Sequence, residues 1–197
     1  MPSDLSRTSA RAAVASGVLF VIAEGMYLID LASVATASRL ASPTGIAQNV
    51  VFLLAGVLLA VAAAAGHPHP PTRTPETTAR KAWLLALVGT VLVTGGYWGN
   101  AFVTPAIARA APEVVDGGPP GLVVTGLVLS SVVFAIGWVT TGVVALRAGT
   151  VRRPAAVLLI VSSVIAAVPI AFTLIPFGVA LVWTGLPRTL DAYLSRT

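Results

Sequence analysis

The chain has 197 residues, of which 56% are hydrophobic and only 10% are charged, and its mean hydropathy is +0.92. A soluble domain carries about 25% charged residues, so this composition cannot cover a water-facing surface and requires a lipid environment. The net charge of +5 comes from short basic clusters between apolar runs, which argues against a nucleic-acid partner. The chain has no cysteine, which excludes disulfides, iron–sulfur clusters and thiolate zinc sites.

Five apolar regions follow one another along the chain, at residues 12–34, 45–65, 82–104, 121–146 and 154–187. Each reaches the roughly 20 residues that a transmembrane helix needs. The last would form a helix of about 50 Å, too long for one crossing. Pro169 lies near its middle, and because proline disfavours helix around it, we divide the region into helices at 154–168 and 171–187. The sequence therefore predicts an all-α polytopic transmembrane helix bundle of six helices, with five as the alternative.

Two segments between these helices are predicted to be irregular, and the whole chain, 1–197, is predicted to be a single transmembrane domain. Residues 66–81 include the Pro- and Thr-rich stretch GHPHPPTRTPETTAR, which is typical of a linker. Residues 105–120 include PEVVDGGPP, a turn-rich and acidic stretch. We expect the first segment on the cytoplasmic side and the second outside.

The basic residues predict the orientation, because cytoplasmic loops of membrane proteins are enriched in Lys and Arg. With six helices and a cytoplasmic N-terminus, only Arg39 and Arg109 lie outside. The cytoplasmic segments then hold Arg7, Arg11, Arg73, Arg80, Lys81, Arg147, Arg152, Arg153, Arg188 and Arg196. With five helices, Arg188 and Arg196 would move outside and weaken this asymmetry. The sequence therefore favours cytoplasmic N- and C-termini.

Small residues at helical spacing indicate where helices could pack closely in lipid. The candidates are Ala13/Gly17 in the first helix, Gly56/Ala60/Ala64 in the second and Gly95/Gly99 in the third.

One part of the chain, from Asn100 to Ile165, carries a recognisable pattern. It consists of GNAFVTPAIARAAP, Gly137-Trp138, Leu146-Arg147-Ala148-Gly149, the Arg153-Pro154 boundary and AAVLLIVSSVI. The pattern resembles uncharacterised small multi-pass membrane proteins of GC-rich Gram-positive bacteria, although these often have Pro-Arg where this chain has Arg152-Arg153-Pro154. The resemblance implies a bacterial inner membrane and a polytopic helical fold. It implies no activity and no site residues.

Glu24 is the most informative position for function, because it lies near the middle of the first predicted helix. An ionised carboxylate there costs at least a few kcal/mol, and no basic residue falls within a predicted helix to pair with it. Glu24 is therefore expected to be protonated, hydrogen-bonded to neutral groups or wetted by a cavity. Polar residues at matching depth in the first three helices predict a pocket open to the outside. They include Gln48 at the start of the second helix and a polar stripe in the third helix that ends at Thr104. The candidate pocket residues are Glu24, Tyr27, Asp30, Asn49, Tyr97 and Asn100.

Two interpretations of this cluster stay open. In the first, Glu24 is protonated, bonds to Tyr97 or Asn100 and serves helix packing. In the second, it belongs to a proton- or cation-sensitive pocket for a small solute, because intramembrane carboxylates are frequently functional.

Other chemistry has little support in the sequence. His67 and His69 lie in a Pro-rich stretch without zinc-motif spacing, and no span contains a nucleophile–base pair. We expect no enzymatic activity, no metal and no cofactor. The sequence favours a non-enzymatic packing or accessory protein of the plasma membrane. Its partners would be the lipid bilayer and another membrane protein or a second copy, and a small-solute or proton-coupled transporter or channel is the alternative.

Overall fold

The computed structural model of the chain describes residues 4–30, 36–65, 76–118, 120–168 and 172–186. All regular secondary structure in these residues is helical. The α-helices are α1 (Asp4–Asp30), α2 (Thr36–Ala41), α3 (Pro43–Ala65), α4 (Glu76–Trp98), α5 (Thr104–Ala110), α6 (Pro112–Asp116), α7 (Gly121–Ala148), α8 (Arg153–Ala166) and α9 (Leu174–Gly185). A π-helical turn, Gly99–Val103, connects α4 directly to α5.

Four helical stretches in the described residues are long and apolar enough to cross a membrane. They are Arg7–Leu28 in α1, Pro43–Ala65 in α3, Thr77–Ala110 in α4 through α5, and Gly121–Ala148 in α7. The apolar helices α8 and α9 have only 14 and 12 residues. They measure about 21 and 18 Å, less than a hydrocarbon core of about 30 Å. The predicted all-helical fold is therefore confirmed for the described residues, four of whose helical stretches could span a membrane.

The long helices pack side by side in an antiparallel arrangement. The Ser9 and Ser16 hydroxyls of α1 donate to the carbonyl oxygens of Ala62 and Ala55 in α3, both at 2.8 Å, so residue numbers rise along one helix as they fall along the other. The Trp138 indole of α7 donates to the Thr90 hydroxyl of α4 at 3.0 Å. Such interhelical hydrogen bonds satisfy polar groups that would otherwise lie in an apolar environment.

The two ends of the bundle differ. At one end, α2, α5 and α6 pack on one another, and the Ala37 N–H of α2 donates to the Asp116 carboxylate of α6 at 2.9 Å. We call this the capped end. The opposite end, where α1 and α4 begin and α3 and α7 finish, is called the open end.

The helices α8 and α9 form a hairpin that starts and finishes at the open end. Helix α8 packs on α7, and α9 packs on α8 and α1. Helix α9 is antiparallel to α1, since Gly178 lies against Gly17, and Gly185 lies against Ala10. The chain therefore turns back inside the bundle, at the depth of Glu24, before it reaches the capped end.

The structure differs from the sequence prediction in the two segments expected to be irregular. Helix α4 begins at Glu76, inside the predicted linker 66–81, because no proline follows Pro75 before the apolar run and the chain is free to continue as a helix. The predicted outer loop 105–120 contains most of α5 and all of α6. Pro105 and Pro112 occupy the first turns of these helices, where proline needs no backbone donor.

Glycines allow the closest helix contacts, and only some of them were predicted. A Cβ on Gly17 would lie 2.4 Å from the Gly178 oxygen, and one on Gly56 would lie 2.4 Å from the Thr94 hydroxyl. The prediction for the third helix was wrong, because a Cβ on Gly95 or Gly99 would meet nothing within 4 Å. The close contact of α4 is made by Gly89 instead, whose Cβ would lie 2.4 Å from the Phe134 Cα of α7.

Candidate functional site

A polar cavity of about 620 Å³ lies toward the capped end, between α1, α3, α4 and α7. On the side nearest the open end, the cavity is lined by Ala166, Thr173 and Leu174 of the hairpin. Arg39 and Leu40 of α2 lie at its mouth, on the side of the capped end. Small-molecule sites have volumes of about 300–1,000 Å³, so the polar cavity has the size of a small-solute site.

The cavity exists because the hairpin stops short of the capped end. Helix α7 is 28 residues long, whereas α8, which packs beside it, has 14. Residues 121–129 of α7 are all exposed as a result. The part of α7 nearest the capped end, together with α1, α3 and α4, therefore borders a space that the hairpin does not fill.

Five of the six candidate pocket residues line this cavity. They are Glu24, Tyr27, Asn49, Tyr97 and Asn100. The sixth, Asp30, is the last residue of α1, and its side chain is outside the part of the structure described. Gln48, which was predicted at the same depth, also lines the cavity, and the structure adds Arg39 and Ser131, which were not predicted.

The Glu24 carboxylate is bonded to the start of α9. Its Oε2 accepts the Phe172 N–H at 2.8 Å, and its Oε1 accepts the Leu174 N–H at 3.4 Å. Leu174 is the first residue of α9, where backbone donors have no intrahelical acceptor, and Phe172 lies two residues before it. The carboxyl group also lies at the positive end of the α9 dipole. Glu24 thus caps α9 from another helix, and its partners are not the predicted Tyr97 or Asn100.

Phe172 has an unusual backbone conformation next to this contact. Its φ is +71°, a region that costs a non-glycine residue roughly 1–2 kcal/mol. Its ring packs edge-on against Tyr27, with centroids 5.7 Å apart. The hydrogen bond to Glu24 and this ring contact hold the strained turn in place.

Glu24 is nearer to the capped end than the sequence suggested. The first helix was predicted over 12–34, which places Glu24 at its centre. The apolar stretch in the structure is Arg7–Leu28, so Glu24 lies about 6 Å from the end of this stretch nearer the capped end. Glu24 is 4% exposed, but it lies in the last quarter of the stretch, where a polar group is less costly than at the centre.

Two amides from α3 present acceptors to the cavity. Gln48 and Asn49 are only 6% and 8% exposed. The Gln48 Nε2 donates to the Ala23 oxygen at 3.1 Å, and the Asn49 Nδ2 donates to the Gly45 oxygen at 2.9 Å. Because the NH₂ groups face carbonyls, the other atom of each amide must be its oxygen. Within the described part of the chain, neither amide oxygen receives a hydrogen bond.

Aromatic rings form much of the remaining wall. Phe52 and Tyr97 are stacked, with centroids 5.1 Å apart and an interplanar angle of 14°. The Arg39 guanidinium lies 4.6 Å from the Tyr27 ring centroid, a favourable cation–π distance. The cavity therefore combines aromatic faces with hydrogen-bond acceptors.

The π-helical turn alters the polar stripe predicted on the third helix. Tyr97, Asn100 and Thr104 share a face only if the helix is α-helical throughout. The turn at Gly99–Val103 changes this register, and Thr104 does not line the cavity. Its hydroxyl instead donates to the Asn100 Oδ1 at 3.3 Å. Such π turns recur at functional sites.

Sequence reasoning missed the partner of Glu24, although two signals for it were present. One was a carboxylate without a partner in the first helix, and the other was the proline break at Pro169. A new helix start inside the bundle exposes backbone donors, and a buried carboxylate is a suitable acceptor for them. Only the tertiary contact between α1 and α9 places the carboxylate of the first helix next to the backbone donors at the start of α9.

No group of three or more potential metal ligands occurs among the described residues. His67 and His69, which belong to the Pro-rich predicted linker without zinc-motif spacing, lie outside the described residues.

The described residues form a helical bundle with four helices long and apolar enough to span a membrane and a polar, solute-sized cavity near one end. Comparison with known proteins finds no matching family model, no similar curated protein and no similar solved structure. The function must therefore be argued from the cavity itself.

Proposed function

We propose that the chain is a multi-pass protein of a bacterial plasma membrane, with its open end in the cytoplasm and its capped end outside. Four helices cross the membrane, and α8 and α9 enter it from the cytoplasmic side as a hairpin, which makes six embedded helices. The contact between Gly185 and Ala10 supports termini on the same side. The bacterial origin follows from the resemblance of residues 100–165 to small multi-pass proteins.

The distribution of basic residues supports this orientation. Two described cations, Arg39 and Arg109, belong to the capped end. Seven belong to helix ends at the open end: Arg7, Arg11, Arg80, Lys81, Arg147, Arg152 and Arg153. Because cytoplasmic loops are enriched in Lys and Arg, the open end is assigned to the cytoplasm.

Cysteine labelling tests this topology, because the natural chain has no cysteine. Glu113→Cys lies in α6 at the capped end, and Thr150→Cys follows α7 at the open end. Both positions are exposed. In intact cells we expect an impermeant maleimide to label position 113 and to label position 150 only after the membrane is permeabilised. Labelling of position 150 in intact cells would contradict the orientation.

For the function, we propose that the protein binds a small solute in the polar cavity from the outer side of the membrane. One observation carries this proposal: a cavity of about 620 Å³ holds Glu24 and two amides with free oxygens. A purely structural polar cluster would use its acceptors internally, since unpaired buried polar groups are costly. We assign no catalytic role to any of these residues.

Access from outside can be measured with two serine-to-cysteine variants. Ser131 of α7 lines the cavity, whereas Ser163 of α8 is fully buried in the bundle. We expect a small impermeant thiol reagent to modify Ser131→Cys in intact cells and to leave Ser163→Cys unmodified. Thiols react as thiolates and need water, so an unreactive Ser131→Cys would remove the proposal of an outward-open cavity.

A second function has support from a different observation. The Glu24 carboxylate already caps α9, which gives it a packing role without a ligand. The protein would then be a non-enzymatic accessory protein that binds another membrane protein or a second copy. In that case it should co-purify with a stable partner, and cavity substitutions that preserve folding should have no effect on solute binding.

A further inference from the structure

The polar cavity presents three groups that can accept further hydrogen bonds, beside side chains that can donate, among them Arg39 and Ser131. The carboxylate of Glu24 uses each oxygen for one backbone donor, and a carboxylate has about four lone-pair sites. The amide oxygens of Gln48 and Asn49 have no donor within the described part of the chain. A ligand that complements these groups must donate hydrogen bonds, and a positive charge would strengthen each bond.

The aromatic wall suits a cation that carries an apolar body. Phe52 and Tyr97 offer stacked rings, and Phe134 lines the same space. The Tyr27 ring already holds a cation, the guanidinium of Arg39 at 4.6 Å. A bare inorganic ion would leave most of the roughly 620 Å³ empty, and no group of three potential metal ligands occurs among the described residues.

We propose that the ligand of the polar cavity is a small organic monocation, a protonated amine with an apolar body. Its ammonium group donates to Glu24 and to the amide oxygens of Gln48 and Asn49, and its apolar part packs against Phe52 and Tyr97. This inference rests on the proposed function, since it names the class of solute. Arg39 at the mouth opposes the ligand's charge and occupies the face of Tyr27.

The test uses the purified full-length protein in detergent and three probes of similar shape. Phenethylammonium carries a positive charge, 2-phenylethanol is neutral and phenylacetate is negative. By isothermal titration calorimetry, we expect phenethylammonium to bind at least tenfold more tightly than the other two. Tighter binding of phenylethanol or phenylacetate would overturn the cation inference and leave the proposed solute-binding function intact.

Substitutions at two glutamates test whether phenethylammonium binds in the polar cavity. Glu24→Gln keeps one acceptor for α9 but removes the charge, and we expect it to weaken phenethylammonium binding at least tenfold. Glu113→Gln makes the same chemical change on α6, outside the cavity, and should leave binding unchanged. Equal effects of the two variants, or no effect of Glu24→Gln, would overturn the inference.

Arg39→Gln keeps the test informative if Glu24→Gln does not fold. Removing the positive charge at the mouth should tighten phenethylammonium binding about threefold or more, because like charges repel across the cavity. Unchanged or weaker binding would contradict the cation inference. If no probe binds while Ser131→Cys still reacts from outside, the cation inference fails; if Ser131→Cys is also unreactive, the proposed function fails with it.

Discussion

Gly137→Ala in α7 is expected to destabilise the folded protein by about 2 kcal/mol or more, because overpacking a tight contact typically costs roughly 1–3 kcal/mol. A Cβ at this position would lie 2.5 Å from both the Cα and the nitrogen of Ala86 in α4. These are backbone atoms, so no side-chain rotation can relieve the overlap, and α4 and α7 must move apart. The free energy of unfolding can be measured by denaturation of the purified protein in mixed micelles.

Gly126→Ala is the matched control, because it makes the same change three turns away on the same helix. A Cβ at Gly126 would meet nothing within 4 Å. Alanine is a better helix former than glycine by roughly 0.5–1 kcal/mol, so this variant should be as stable as the natural protein or slightly more stable. If Gly137→Ala and Gly126→Ala unfold at the same denaturant concentration, the close approach of α4 and α7 is refuted.

Glu24→Ala should have the second large effect on stability, a loss of about 2–4 kcal/mol. The substitution removes the acceptor of the Phe172 and Leu174 N–H groups. Each buried donor left without a partner costs roughly 1–3 kcal/mol. The longer bond, to Leu174 at 3.4 Å, should contribute less than the bond to Phe172. Thermal unfolding in detergent, followed by the loss of helical circular dichroism, measures the change.

Glu24→Gln distinguishes the role of Glu24 as a hydrogen-bond acceptor for α9 from the effect of its charge. Glutamine retains an oxygen that can accept the Phe172 N–H, so its loss of stability should be less than half that of Glu24→Ala. If Glu24→Ala unfolds like the natural protein, Glu24 does not cap α9. If glutamine and alanine cost the same, the carboxylate acts through its charge at the α9 N-terminus and not as a hydrogen-bond acceptor.

Glu24 has two roles in this fold, because it caps α9 and also lines the cavity. Its carboxylate holds the strained turn at Phe172 in place and lines the space offered to a ligand. A cation that draws on the same oxygens would change the strength of the cap on α9. Ligand binding and the position of the α8–α9 hairpin are therefore expected to be coupled.

The helices were the most predictable part of this protein. Long uncharged runs can satisfy their backbone in lipid only as helices, so α1, α3, α4 and α7 follow from composition alone. The break near Pro169 was also predictable, since proline cannot continue the hydrogen-bond ladder. The helical start at Glu76 and the short helices α5 and α6 were missed because polar, proline-containing segments carry no hydrophobic period.

The site was predictable in its members but not in its contacts. Matching depth in antiparallel helices brought Glu24, Asn49 and Tyr97 into one cluster, and these residues line the cavity. The partners of Glu24 are backbone groups from residues about 150 positions away, and no local pattern encodes them. The bounds of the first apolar stretch mattered as well, because a stretch from Arg7 to Leu28 places Glu24 toward the capped end and not at the centre.

Sequence by itself determined that the chain forms long apolar helices of a length that suits a membrane, because charge-poor runs of about 20 residues have no stable alternative to helices in lipid. Tertiary structure alone decided that α8 and α9 stop inside the bundle and that a cavity remains between them and the capped end. It also decided that Glu24 caps the start of α9. The physical reason is that free backbone donors at a buried helix start require an acceptor from elsewhere in the fold, and only the packing of α9 on α1 supplies it.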